Sequence, residues 1–145
     1  MAGMGRTSVV QVPCFSGGRM TFYLQWPPSI NHYWRRVGNK TILSKEGRDY
    51  RTKVANDVRF AGFIASRLMP GRLSVEIVAY PPDRRRRDLD NLLKAILDCL
   101  QHAGVYKDDS QVDRLLIERG PVGEFVLAAG GIRVRISPLS ETMKA

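Results

Sequence analysis

Apolar and polar side chains alternate over residues 21–26, with Phe22, Leu24 and Trp26 on one side and Thr21, Tyr23 and Gln25 on the other. That is the period of a half-buried strand, and Pro27 and Pro28 stop it. A different spacing follows: Tyr50, Val54, Val58, Ala61, Ala65 and Leu68 recur at helical intervals. They predict an amphipathic helix over 45–68, capped by Ser44 and ended by Pro70 and Gly71. Period two returns over 73–80, with Leu73, Val75, Ile77 and Ala79 inward. Leu92, Leu93, Ile96, Leu97, Leu100 and Ala103 then mark the apolar side of a second helix, which Gly104 closes. Two closing strands are predicted over 112–118 and 132–137, with a turn at Gly130 and Gly131. In the last strand Arg133 and Arg135 alternate with Ile132, Val134 and Ile136. The simplest use of these arginines is to protect an exposed sheet edge by charge, and phosphate contact is the alternative.

Strands and helices in this order predict an α+β fold, one compact domain with a mixed sheet packed by two main helices. The domain is expected over 21–137. Residues 1–20 read as a partly mobile extension with a short strand over 8–12, and 138–145 as a loose tail. The segment SINHYWRRVGNK reads as a loop in which Tyr33, Trp34, Arg35 and Arg36 could meet bases and phosphates. Tyr33 or Trp34 could equally anchor that loop to the core.

Charge narrows the class of partner. The 145 residues carry 23 Lys+Arg against 14 Asp+Glu, a formal +9, which favours a polyanion such as nucleic acid over a merely basic protein. The 43% hydrophobic content supports a real core and argues against disorder. No stretch approaches ~18 continuous apolar residues, so no membrane span is expected. Cys14 and Cys99 show no zinc-ligand spacing, and with no secretory pattern at the front they suggest free thiols in a reducing cytoplasm.

The chemistry concentrates in DRRRRDLDNLLKAILD, residues 83–98. Arg84, Arg85, Arg86 and Arg87 suit phosphate, whereas Asp88 and Asp90 would repel it unless a divalent metal lay between. One aspartate could be a helix cap, but both cannot cap the same end. Lys94 is spaced either for an intrahelical ion pair or for a metal-bound phosphate. Asp108 and Asp109 follow the helix and could complete an oxygen-ligand site for Mg²⁺, or serve as turn residues.

Taken together, WPPSINHYWR, SKEGRDYR, PPDRRRRDLDNLLKAILDCLQHAG and DDSQV, in that order, resemble the RusA family of Holliday junction resolvases. The resemblance implies that Asp88, Asp90 and Asp109 are the catalytic, metal-binding acids and Lys94 the essential basic residue in the site, with Asp108 of second rank. It further implies a RusA-like α/β subunit, a homodimer, and Mg²⁺-dependent paired nicking of four-way DNA in recombination and repair, with Mn²⁺ able to substitute. A nuclease for flaps or forks, and a DNA- or RNA-binding protein without catalysis, are the competing expectations. The front extension and the stretch 119–131 depart from the family pattern.

Overall fold

The structure, a computed structural model, describes residues 18–63, 68–124 and 129–139. The alternation at the front forms β1 (Met20–Gln25), with Met20, Phe22 and Leu24 buried. A short helix α1 (Ile30–Tyr33) follows, then β2 (Trp34–Val37) and β3 (Lys40–Leu43), α2 (Lys45–Phe60) and β4 (Leu73–Tyr80). The chain continues through α3 (Asp90–His102), a 3-10 turn (Asp109–Gln111), β5 (Val112–Arg119) and β6 (Gly131–Pro138).

Four strands form one sheet in the order β1-β6-β4-β5. Only β4 and β5 run parallel, while β6 pairs antiparallel with both β1 and β4. The sheet is therefore mixed, as its alternation with helices suggested. Its inner face, including Phe22, Val75, Ile77, Val134 and Ile136, shares one core with Tyr50, Val54 and Val58 of α2 and with Leu92, Ile96 and Leu100 of α3.

Three expectations change. Residues 34–43 form a hairpin, β2 against β3, rather than a loop. Its two-residue turn is Gly38–Asn39, and Gly38 adopts φ 61°, the left-handed conformation that such tight hairpin turns require. The helix predicted over 45–68 ends at Phe60. Gly62, at φ 87°, lets its N–H turn back to Arg59 O (2.9 Å) and the Phe63 N–H to Val58 O (3.2 Å), closing the helix although apolar spacing continues beyond it. Ala65 and the strand expected over 8–12 lie outside the described residues. Finally, Arg133 and Arg135 do not guard an edge, because β6 is an interior strand and their side chains alternate away from the core. The true edge beside β4 is β5, where Leu115 and Leu116 are each 40% exposed.

Candidate active site

Strand β4 delivers the chain to Pro81 and Pro82, and Asp83 then organises the arginine block. Its carboxylate accepts the Arg85 N–H at 2.9 Å and Arg87 Nη1 at 2.7 Å. Hydrogen bonds from Arg87 and then Arg85 hold this carboxyl well below the usual carboxylate range. Arg87 also lies over the Trp26 ring at 5.6 Å, and its carbonyl accepts Arg119 Nη2 at 2.7 Å. The four arginines thus divide: Arg85 and Arg87 turn back onto Asp83, whereas Arg84 and Arg86 are exposed and make no hydrogen bond or ion pair among the described residues. Trp26, His32, Arg86, Arg87, Asp88 and Asn91 border a cleft of about 510 Å³.

Asp88 borders this cleft, and Asp90, two residues further on, is the first residue of α3. Leu89 occupies the cap position and no side chain caps the helix, so neither aspartate serves as the cap. Both are exposed, and neither carboxylate bonds another described residue. Asp90 in the first turn is favoured by the positive end of the helix dipole. Lys94, one turn further along, is exposed and forms no ion pair among the described residues. The carboxylate at its other flank, Asp98, is taken by Arg51 at 2.7 Å.

Asp108 and Asp109 lie at the opposite end of α3. Asp108 caps the 3-10 turn by accepting the Ser110 N–H at 3.0 Å, and Gln111 returns a bond to the Asp108 N–H at 3.1 Å. The Asp109 N–H donates to Gln101 Oε1 at 3.0 Å, placing it beside the last turn of the helix. Asp90 and Gln101 are separated by roughly 16 Å of helix rise. Accordingly, among the described residues no three His, Cys, Asp or Glu side chains gather closely enough to hold a metal ion. Asp88 and Asp90 flank Leu89 at the start of α3, and Asp109 lies beside its last turn. The Asp88 and Asp90 carboxylates make no bond among the described residues, which suits a hard cation such as Mg²⁺.

Of the predicted DNA contacts, Arg35 and Arg36 are exposed on β2, and Trp34 is half-buried. Tyr33 is not at the surface. It is fully buried, with Trp34 edge-on at 5.1 Å, and its hydroxyl donates to the Asp98 carboxylate, so it anchors the segment as the packing alternative supposed. Burial, and next the bond to Asp98, push the Tyr33 hydroxyl far above its ordinary pKa. At Asp98 burial acts upward, yet Tyr33 and Arg51 together hold the carboxyl below its ordinary value. Sequence reasoning missed Asp98, Arg51 and Asp83. For Asp98 a signal existed: it falls between Leu97 and Cys99 in an apolar helix, where a carboxylate needs partners.

No helix among the described residues is long and apolar enough to cross a membrane. The family model for endodeoxyribonuclease RusA matches residues 25–137, spanning the hairpin, the arginine block and both pairs of aspartates. The crossover junction endodeoxyribonuclease of Enterobacteria phage HK97 is 43% identical over 99 residues, covering 68% of this chain and 81% of its own length. The enzyme of that name from Escherichia coli K12 gives the same identity and coverage, and that of Enterobacteria phage 82 is 42% identical over the same shares. With the family pattern covering strands β4, β5 and β6, the helices and the acidic loop alike, the chain belongs to the RusA family of endodeoxyribonucleases.

Proposed function

We propose that the protein is a Mg²⁺-dependent endodeoxyribonuclease that resolves four-way DNA junctions by paired nicks, acting as a homodimer in a bacterial cytoplasm. The observation that carries this reading is the pair Asp88 and Asp90, which make no bond among the described residues, Asp88 bordering an arginine-lined cleft and Asp90 opening the helix beside it. Exposed Arg84 and Arg86, with Arg35, Arg36 and Trp34 on the hairpin, would grip the DNA backbone, while Arg85 and Arg87 shape the loop. Asp88 and Asp90 would hold the metal, with Mn²⁺ as a substitute, and the bound ion would supply a lowered water pKa and charge stabilisation at the phosphate. Lys94 is placed on the same helix to stabilise negative charge developing on the phosphate.

A dimer supplies what one chain lacks. Strand β5 follows directly on the turn that holds Asp109, at one end of α3, and runs to Arg119, which bonds the Arg87 carbonyl at the other end. Its outer edge is unpaired among the described residues, and Leu115 and Leu116 on this strand are partly exposed. Antiparallel pairing of two such edges about a two-fold axis would bring Asp109 of one copy to the Asp88 and Asp90 end of the other. Two symmetric sites of this kind match the paired cuts that resolution requires.

The test incubates labelled four-way junctions, flaps, forks and linear duplex with the protein in Mg²⁺ or EDTA, beside Asp90→Asn. Metal-dependent symmetric cuts confined to the four-way junction and lost in the variant are expected. Preference for flaps or forks would shift the substrate, and binding without any cutting would reduce the protein to a nucleic-acid binder.

A further inference from the structure

The β2–β3 hairpin carries Arg35, Arg36 and Lys40 with no acidic residue, and Val37 and Ile42 are 46% and 39% exposed. Its tip stands clear: nothing lies within 4 Å of the position a side chain on Gly38 would occupy. The root is the opposite. The Tyr33 carbonyl accepts both the Ser44 N–H at 3.0 Å and Ser44 Oγ at 3.1 Å, and Gly47 passes so close that a Cβ there would lie 2.6 Å from that oxygen. The buried Tyr33 ring reaches on to α3, where one oxygen of Asp98 receives the Tyr33 hydroxyl and Arg51 Nη2, the latter at 2.7 Å. Three helices therefore converge on a single carboxylate oxygen, and that carboxylate is on the helix that begins with Asp90 and carries Lys94.

We propose that Tyr33, Asp98 and Arg51 are positioning residues that fix the register of the hairpin, as a DNA-gripping arm, against the catalytic helix α3. Directional bonds to one charged oxygen define a position more narrowly than apolar packing, which tolerates sliding. Through this cluster the phosphates held by the arm are set at a constant distance from Asp88 and Asp90. The inference rests on the nuclease reading above.

Tyr33→Phe removes the hydroxyl and keeps the ring. Cut positions are mapped at nucleotide resolution on an end-labelled four-way junction, and junction affinity is measured in the Asp90→Asn background. The variant is expected to spread cutting onto neighbouring phosphodiesters and to lower the rate at the principal one about 10-fold or more, with affinity within about twofold. Arg51→Lys, which keeps the charge and loses the planar fork, should give a smaller spread. A single sharp cut site at a uniformly lower rate, or a lower melting temperature with an unchanged cut pattern, would overturn the proposal in favour of a purely structural cluster. Hydroxyl-radical footprinting of the bound junction gives a readout independent of cleavage: a protein that cuts nothing defeats the nuclease reading, while blurred hairpin protection in Tyr33→Phe still supports the arm's register and unchanged protection defeats it.

Discussion

The middle of α3 and its start treat their carboxylates in opposite ways. Asp98 is half-buried, bound by Tyr33 and Arg51, and ties three helices together. Asp88 and Asp90 are exposed, uncapped and unbonded among the described residues, held in place only by the backbone of the loop and the first helical turn. The lesson is that the fold satisfies the charges it uses. A carboxylate left bare beside exposed arginines is not stabilising the fold, and the partner its chemistry suits is a divalent cation, while the arginines suit phosphate. The arginines repeat the contrast, with Arg51 and Arg87 bonded within the chain and Arg84 and Arg86 turned outward.

Substitution at each place sharpens this division. Asp90→Asn should lower junction cleavage by ~10³-fold or more, because several kcal/mol of metal-borne stabilisation is lost. Its unfolding free energy in urea should change by no more than about 0.5 kcal/mol, as for an exposed site. Asp98→Asn should reverse the pattern in stability, costing about 2 kcal/mol in urea unfolding because Arg51 and Tyr33 lose a charged partner in a half-buried setting. If both variants unfolded alike, the division between structural and chemical carboxylates would fail. Arg84→Ala combined with Arg86→Ala should leave stability unchanged and reduce the salt dependence of junction binding by about two counterions. An unchanged salt slope would place those arginines off the DNA.

The smallest effect concerns Asp57 on α2. Burial raises its pKa to about 6, against weaker opposing contributions from the Gln25 backbone and Lys53, and Oδ2 lacks a hydrogen-bond partner. A raised carboxyl binds its proton more tightly in the folded state, so stability should fall as pH rises from about 4 through 6. Asp57→Asn should flatten that dependence and stabilise the protein at pH 7 by about 1 kcal/mol, a figure discounted for partial exposure. Urea unfolding at pH 4.5 and 7 checks both; an unaltered pH profile would show that Asp57 titrates normally.

Periodicity revealed which faces are buried, because Phe22, Val75, Val134 and Ile96 must all leave water. It carries no information on which strand lies beside which, and so the two arginines of β6 suggest a guarded edge on a strand that is interior. The hairpin was legible in Gly38 and Asn39 but masked by side chains that are exposed on both faces and show no alternation. In HYWRR, composition could not say which aromatic turns inward, and the buried one proved to be Tyr33. The acidic motif was legible as chemistry. The separation of Asp109 from it was not, because spacing along the chain does not reveal that the segment after α3 remains beside its last turn.

The proposal that two chains jointly build each site is tested most directly by mixing two inactive variants, Asp90→Asn and Asp109→Asn, under conditions that let subunits exchange. A site shared between copies leaves every mixed dimer with one intact set of aspartates. Nicking should then return to about a quarter of the wild-type level, since random mixing makes half the dimers mixed. No recovery, with exchange verified by differently tagged subunits, would contradict a site shared between the two chains.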